Sequence, residues 1–359
     1  MFLNKLYKLL LCGLLAACGS QSDSTINPEV QQIVRKELKS AVAEYQAKGA
    51  TGIIMDSKTG EIVSMASVGN VKPMRYVYEM GSVFKIFNTA LAYENGLEDK
   101  EYKIDEPLMV YDKNGKQLLK MPIDDVTSFK RYMRSQGITK MTASDIMLYS
   151  SNVGSAKIAL DLPVNAQQDF FHKLHLDEKL ELDFGKTEKG LMHANWGPVE
   201  RATASFGHGI AVTPIHLLAA VNAVTNGGTY IYPTMVRNNT QPKSEELVVS
   251  SDTSAKIRNI MLNTVEQTSA KKAKIKGVNI GGKTGTAEKS TNGKSDSTKV
   301  VTTFVGIFPV SNPQYTMLVL LDEPQGKKEF GGLNTSAWNA TPTAGKILEQ
   351  VVSMLIKDK

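Results

Sequence analysis

Ser82 and Lys85 stand three residues apart at the start of an apolar segment that the sequence predicts to be helical. A serine hydroxyl becomes a nucleophile only when a neighbouring base takes its proton, and a lysine is such a base only when its amine is neutral. Burial and a second cation both lower a lysine pKa towards that condition. Gly81 allows a close turn, and the N–H groups of a helix start can hold an oxyanion. Taken alone, the pair is equally compatible with an ordinary amphipathic helix start.

A second polar group, Ser150-Ser151-Asn152, directly follows a predicted helix that ends at Tyr149. A hydroxyl in this group can relay a proton to a leaving group, and an amide can bind a peptide carbonyl. The same residue types are favoured as N-caps, here of a helix predicted from residue 153. Both interpretations stay open on local grounds.

The third group lies on a predicted strand and follows two glycines. Its lysine can bind a carboxylate and bias a neighbouring base, while its small residues let a substrate backbone lie along the strand edge. The N–H groups of Thr286 and Ser82 are candidates for an oxyanion hole. The alternative is a glycine-rich strand bend. The members of the group are Lys283, Thr284, Gly285 and Thr286.

Residues 1–25 indicate an export signal. Lys5 and Lys8 precede a short apolar run, Leu9 to Ala17, which is too short to span a bilayer. Cys18 follows at the apolar-to-polar break, as in the bacterial lipobox. We therefore expect a signal peptide over 1–17, a lipid on Cys18 and a tether over 18–27. The expected location is the cell envelope, with the folded part in the periplasm; a plain signal peptide with a coincidental cysteine is the alternative.

Composition excludes several classes of function. Both cysteines of the 359-residue chain, Cys12 and Cys18, lie in the export segment, so the folded part has no disulfide or thiolate nucleophile. His172 and His175 lack further residues at ligand spacing, and we expect neither a metal nor another cofactor. The net charge of +6 comes without a basic stretch interleaved with aromatic residues, so we expect no nucleic-acid partner.

A phosphate-binding site must also be weighed, because Gly277 to Thr284 matches the pattern G-x-x-x-x-G-K-[ST]. That site needs a helix after the lysine, whereas residues 285–287 continue as predicted strand. An exported protein also has no access to the ATP pool. We therefore expect no nucleotide here.

Hydrophobic periodicity predicts the elements that must position these groups. A helix follows Asn27-Pro28, a hairpin follows it, and a mainly helical middle leads to late strands and a last helix. This order predicts an α+β fold: an antiparallel sheet covered by helices, with an inserted all-helical lobe at about 95–225, in one domain over 28–359. A polar loop is expected at 289–296. The other segments are strands at 51–55, 62–66, 277–287, 299–308 and 315–322, and helices at 213–227, 252–267 and from 341.

The order S-x-x-K, S-x-N, K-T-G, with separations of 68 residues (150 − 82) and 133 residues (283 − 150), is that of penicillin-binding proteins and serine β-lactamases. Over roughly residues 50–359 the chain resembles the class B, division-type (septal) penicillin-binding transpeptidases. The resemblance implies that family's fold, and it implies an exported protein that acts on the cell wall. The resembling segments are 78–82, 150–154, 204–214, 281–289, 303–306 and 337–340.

The resemblance implies a reaction and its partners. Ser82 would be acylated by the D-Ala-D-Ala end of a peptidoglycan stem peptide, with Lys85 as its base, and an amine of a neighbouring stem would then attack the acyl-enzyme. β-Lactams would trap the same serine. Implied further roles are proton transfer and substrate binding for Ser150 and Asn152, organisation of the site for Lys283 and Thr284, and carboxylate binding for Thr286.

Several alternatives remain beside this expectation. A class D-like β-lactamase also carries S-x-F-K but usually has an apolar residue where Asn152 stands; a D,D-carboxypeptidase shares the acyl-enzyme; and a non-catalytic penicillin receptor or wall scaffold would keep only the fold. The resemblance also implies a glycosyltransferase of the shape-elongation-division family and other divisome proteins as partners. Family members usually carry a pedestal domain, and before residue 50 we predict only one helix and a tether. His216 stands where the family often has Gln.

Overall fold

The computed structural model describes residues 24–237, 244–291 and 294–356. The predicted signal peptide, Cys18 and the first part of the predicted tether lie outside the described residues. Within the described part of the chain, no helix is both long and apolar enough to cross a membrane.

A helix and a hairpin open the fold, as predicted. Helix α1 (Pro28–Glu44) begins at Asn27, whose side chain accepts hydrogen bonds from two backbone N–H groups of the first turn at 3.1 and 3.2 Å. Proline is well placed at the first helical position, because its missing N–H would have no partner there. Strands β1 (Gly49–Asp56) and β2 (Ile62–Gly69) then pair antiparallel.

The middle of the chain is mainly helical, as predicted. It contains three two-residue strand pairs between residues 95 and 225, so the lobe is not purely helical; such strands are too short to show an alternating pattern in the sequence. A 3₁₀ turn, Gly81–Phe84, leads into the first helix. The helices are α2 (Lys85–Glu94), α3 (Thr127–Ser135), α4 (Ala143–Tyr149), α5 (Asn152–Asp161), α6 (Ala166–Lys173), α7 (Pro198–Ala204) and α8 (Pro214–Thr225). The short strands pair as β3 (Tyr102–Lys103) with β4 (Lys140–Met141), β5 (Glu181–Leu182) with β6 (Gly185–Lys186), β7 (Leu191–Met192) with β8 (Ile210–Ala211), and β9 (Thr229–Ile231) with β10 (Ser244–Leu247).

The last third contains the predicted helix, three strands and final helix. These are α9 (Ser251–Gln267), β11 (Gly281–Thr291), β12 (Lys294–Phe308), β13 (Tyr315–Asp322) and α10 (Ala340–Leu355). The predicted polar loop at 289–296 was wrong, because β11 and β12 continue into it, with Lys289 opposite Asp296. β13 pairs with β12 only from Val301 onwards. The paired ends of β11 and β12 outside that region therefore need no apolar face, and their polar composition is compatible with a strand.

The five long strands form one antiparallel sheet in the order β11-β12-β13-β1-β2, as the α+β prediction required. Successive residues of a strand point to opposite faces, and both faces are buried here. Ile54 and Val319 pack in a core with α1 and α10, whereas Ile53 and Leu318 pack in a second core with the helical region. The sheet is therefore the central layer between helices.

Two glycines bring the 3₁₀ turn against β11, the edge strand of the sheet. A Cβ on Gly81, whose φ is 54°, would lie 2.4 Å from the carbonyl oxygen of Thr286. A Cβ on Gly285 would lie 2.2 Å from the carbonyl oxygen of Met80. No other residue type fits at either position, because a Cβ would collide with the opposite backbone. The two glycines therefore let the backbone of the turn touch the backbone of β11, and the first and third polar groups of the sequence become neighbours.

Candidate active site

Ser82 and Lys85 face each other because the segment between them is a 3₁₀ turn. In such a turn side chains three residues apart eclipse one another. Lys85, the first residue of α2, places its Nζ 2.8 Å from Ser82 Oγ and is fully buried. The predicted helix start is thus a 3₁₀ turn followed by an α-helix, and this geometry aligns the serine with its candidate base.

In the second polar group one residue caps a helix, and the other two lie beside Lys85. Ser151 caps α5 by accepting a hydrogen bond from the N–H of Gly154 at 3.0 Å, so the capping interpretation is confirmed for this residue. Ser150 has a left-handed backbone with φ of 65°, which is costly for a residue with a side chain. Asn152 Oδ1 accepts from Lys85 Nζ at 2.7 Å, and Ser150 Oγ lies 3.4 Å from the same amine.

Lys283 approaches from the sheet. It lies on β11, is 1% exposed, and donates to Ser150 Oγ at 3.0 Å and to the carbonyl oxygen of Thr284 at 3.1 Å. The Ser150 hydroxyl is therefore within hydrogen-bond reach of both lysine amines. The three polar groups, separated by 68 (150 − 82) and 133 (283 − 150) residues, form one cluster.

Burial sets the electrostatics of this cluster. It lowers the pKa of Lys283 to about 7. It also lowers the pKa of Lys85 well below the usual range for lysine; the charge of Lys283 lowers it further, and Asp125 acts in the opposite direction. Both amines are thus biased towards the neutral form that a general base requires.

Asp125 is a site residue that the sequence analysis missed. It is 6% exposed and accepts hydrogen bonds from Ser151 Oγ at 2.7 Å, from the N–H of Asn152 and from the N–H of Val153 at 3.4 Å. A carboxylate at a helix N-terminus is favourable, although burial raises its pKa. Its position 25 residues before Ser150 (150 − 125) carries no spacing signal.

The rest of the third polar group lines the sheet edge. β11 pairs with β12 alone within the described sheet, so its outer edge keeps backbone groups for an extended ligand. Thr286 Oγ1 accepts from the N–H of Ser336 at 3.1 Å, which ties this edge to the segment before α10. The strand runs on through residues 285–287, as predicted, so the helix that a phosphate-binding loop needs does not follow Lys283.

Two further expectations concern histidines. His216 is buried, with Nδ1 2.7 Å from Thr213 Oγ1 and Nε2 3.1 Å from the carbonyl oxygen of Glu178. Burial lowers its pKa to about 4, so it serves as a neutral packing residue at the start of α8. His172 lies on α6 and His175 beyond its end, and no cluster of metal-ligating side chains occurs among the described residues.

Comparisons with known proteins agree with this geometry. The family model described as the penicillin binding protein transpeptidase domain matches residues 50–349. The transpeptidase domain of penicillin-binding protein 3 from Burkholderia pseudomallei superposes with a TM-score of 0.81 at 25% identity, covering 94% of this chain and 98% of that one.

Curated relatives extend the likeness to most of the chain. The probable peptidoglycan D,D-transpeptidase FtsI of Caulobacter vibrioides is 30% identical over 94% of this chain and 59% of its own length. Stage V sporulation protein D of Bacillus subtilis is 29% identical over 92% of this chain and 53% of its own length. The chain thus spans little more than half the length of these relatives.

The buried amine of Lys283 predicts a pH-dependent stability. Its folded-state pKa of about 7 lies below the value of roughly 10.4 for an unfolded lysine, so between these values the unfolded chain binds more protons and stability rises with pH. Lys283→Met removes the cost of burying the amine. We expect it to raise the free energy of unfolding by about 4 kcal/mol at pH 7 and by less than about 1 kcal/mol at pH 10.

Denaturant unfolding at the two pH values measures this difference. The matched control is Lys113→Met at an exposed position, which should change stability little at either pH. A stabilisation by Lys283→Met that is the same at pH 7 and pH 10 would contradict the assignment of a depressed pKa.

Proposed function

Because this chain belongs to the penicillin-binding protein transpeptidase family, we propose that it is a serine-type peptidoglycan D,D-transpeptidase of the class B, division type. Ser82 forms an acyl-enzyme from the D-Ala-D-Ala end of one stem peptide and transfers the acyl group to an amine of another. The observation that carries this proposal is the contact of 2.8 Å between Ser82 Oγ and the buried Lys85 amine.

In the proposed acylation, Lys85 takes the Ser82 proton while Oγ attacks the carbonyl carbon of the penultimate D-Ala. The backbone N–H groups of Ser82 and Thr286 hold the resulting oxyanion. When the intermediate collapses, the peptide bond breaks and the nitrogen of the terminal D-Ala needs a proton. Ser150, within reach of both amines, supplies it and is reprotonated by Lys85.

The acyl-enzyme then reacts in the reverse sense. An amine of a second stem peptide attacks the ester carbonyl and passes a proton through Ser150 to Lys85. The bond between the acyl carbon and Ser82 Oγ then breaks, and Lys85 returns the proton to Oγ. Asn152 orients Lys85 and is placed to bind the donor backbone, while Thr284, Gly285 and Thr286 offer an edge for its terminal residue. No cofactor is needed for either step.

Competing activities share the first step and differ in the second. A β-lactamase or a D,D-carboxypeptidase would pass the acyl group to water, and a penicillin receptor would acylate without turning over stem peptides. The amide of Asn152 contacts Lys85 directly, at the place where class D-like enzymes usually have an apolar residue. This contact supports the transpeptidase over the β-lactamase.

A division-type role also carries expectations about location and partners. We place the domain at 28–359, exported to the periplasm and held to a membrane by a lipid on Cys18. A shape-elongation-division glycosyltransferase and other divisome proteins are the proposed partners. Mass spectrometry of the membrane fraction should find an acylated Cys18 as the N-terminus; a protein that retains residues 1–17 would refute the anchor.

Labelled penicillin tests the nucleophile. The purified protein should form a long-lived adduct on Ser82, and Ser82→Ala should abolish it without changing the melting temperature, because Ser82 is partly exposed and makes little core contact. Ser135→Ala, an exposed serine on α3, should label like the wild type. Rapid turnover of the drug would refute the transpeptidase, and a labelled Ser82→Ala variant would refute the nucleophile.

Asp125 should influence the pH dependence of acylation. Its negative charge raises the pKa of Lys85, so Asp125→Asn should move the acidic limb of the pH–rate profile to lower pH. Asp124→Asn is the matched control, because Asp124 reaches Asn152 only through its backbone oxygen, at 3.4 Å. Penicillin acylation rates from pH 5 to 9 give both profiles. A shift to higher pH, or equal profiles for the two variants, would contradict the proposed coupling.

A further inference from the structure

Two polar contacts, one helical turn apart, join helices α2 and α5. In the candidate site, Lys85 Nζ donates to Asn152 Oδ1 at 2.7 Å. Three residues further along each helix, Asn88 Nδ2 donates to the carbonyl oxygen of Ser155 at 3.0 Å and to its Oγ at 3.1 Å. Residues three apart lie on the same face of a helix, so the same two faces meet at both contacts.

The contact between Asn88 and Ser155 is buried and continues to a third segment. Both side chains are shielded from solvent, with Asn88 1% and Ser155 0% exposed. The Ser155 hydroxyl donates to the carbonyl oxygen of Ser205 at 2.9 Å, directly after the end of α7. One chain of buried hydrogen bonds therefore ties together α2, α5 and the segment that follows α7.

The segment after α7 returns to the catalytic turn. The ring of Phe206 lies 5.8 Å from Lys85 Nζ. At Gly207, whose φ is 84°, a Cβ would lie 2.2 Å from the carbonyl oxygen of Gly81, so only glycine lets this segment approach the turn so closely. The hydrogen bonds that begin at Asn88 thus connect three of the segments that surround the Lys85 amine.

Stability alone does not explain an asparagine at position 88. Its Oδ1 is buried and has no hydrogen-bond partner among the described residues. An unpaired buried acceptor costs about as much free energy as a typical hydrogen bond gains. The Ser155 carbonyl belongs to the fourth residue of α5 and also accepts the helical hydrogen bond, so it would stay paired without the amide. An apolar side chain of similar shape would therefore be tolerated here.

We propose that Asn88 is a positioning residue for acylation, because its amide holds α2 against α5 at the spacing that lets the Lys85 amine reach Asn152. This role rests on the proposed function, since it concerns the base of that same reaction. A displacement of about 1 Å at a catalytic group can cost as much as a hundredfold in rate, so a contact one turn away can influence the chemistry.

Asn88→Leu tests the role, because leucine has the same number and branching of side-chain heavy atoms but no amide. We expect the limiting rate of penicillin acylation at Ser82 to fall about tenfold, because the base is less well aligned. The penicillin concentration that gives half of this rate should not change, and the melting temperature should not fall. Asn88→Ala, which adds no methyl groups, should lose rate to the same extent. Time courses with labelled penicillin at several concentrations measure both quantities.

A double-mutant cycle separates positioning from a purely structural role. If Asn88 acts through the contact between Lys85 and Asn152, its replacement costs nothing more once that contact is gone. We therefore expect the double variant Asn88→Leu/Asn152→Ala to be acylated as slowly as Asn152→Ala alone, to within about twofold. A purely structural role would instead multiply the two losses.

Asn222→Leu is the matched control. Asn222 is a fully buried asparagine on α8 whose amide donates to the carbonyl oxygen of Ser57 at 3.2 Å and accepts from Thr316 Oγ1 at 2.9 Å. Because both of its amide atoms are paired, its replacement should lower the melting temperature. The acylation rate of the folded control, measured below its melting temperature, should match that of the wild type.

Two results would overturn the proposal: wild-type acylation rates in both Asn88→Leu and Asn88→Ala, or losses that multiply in the double variant. Penicillin labelling of the wild type is scored separately. Labelling at Ser82 that is unaffected by the Asn88 variants defeats the positioning role alone. An unlabelled wild type defeats the proposed acylation, and the positioning role with it.

Discussion

Two buried lysine amines share one serine hydroxyl, and the rest of the site depends on this arrangement. Lys85 and Lys283 lie 3.4 and 3.0 Å from Ser150 Oγ with almost no solvent contact. Water cannot stabilise two cations there, so burial favours neutral amines and each becomes a potential proton acceptor. A chain that folds this way gives up stability in order to hold a base against Ser82.

Packing elsewhere in the fold offsets the stability that is lost by burying the two amines. The lysines belong to different layers, one on α2 and one on β11, and the close backbone contacts at Gly81 and Gly285 bring these layers together. Asp125 fixes the remaining part of the site, because its carboxylate accepts hydrogen bonds from the residues at the start of α5. The catalytic geometry is therefore set by a buried sheet between two cores.

Much of this arrangement could be predicted from the sequence, because long elements leave periodic patterns. The hairpin at β1 and β2, helices α1, α8 and α9, and strand β13 were predicted close to their observed bounds. The two-residue strands escaped prediction because they are too short to show an alternating pattern. The strand ends at 289–291 and 294–296 escaped it because they need no apolar face. The local pattern of each polar group was ambiguous, and only their order identified the site. Asp125 gave no signal, because its role depends on a loop folding back onto α5.

The protonation state of Lys85 in the resting protein is the measurement that tests this account most directly. NMR titration of side-chain carbons in protein labelled on lysine, with the signal assigned by its loss in Lys85→Arg, reports that state without substrate. The account predicts a Lys85 signal that titrates well below the exposed lysines. A Lys85 signal that titrates together with the exposed lysines would contradict it.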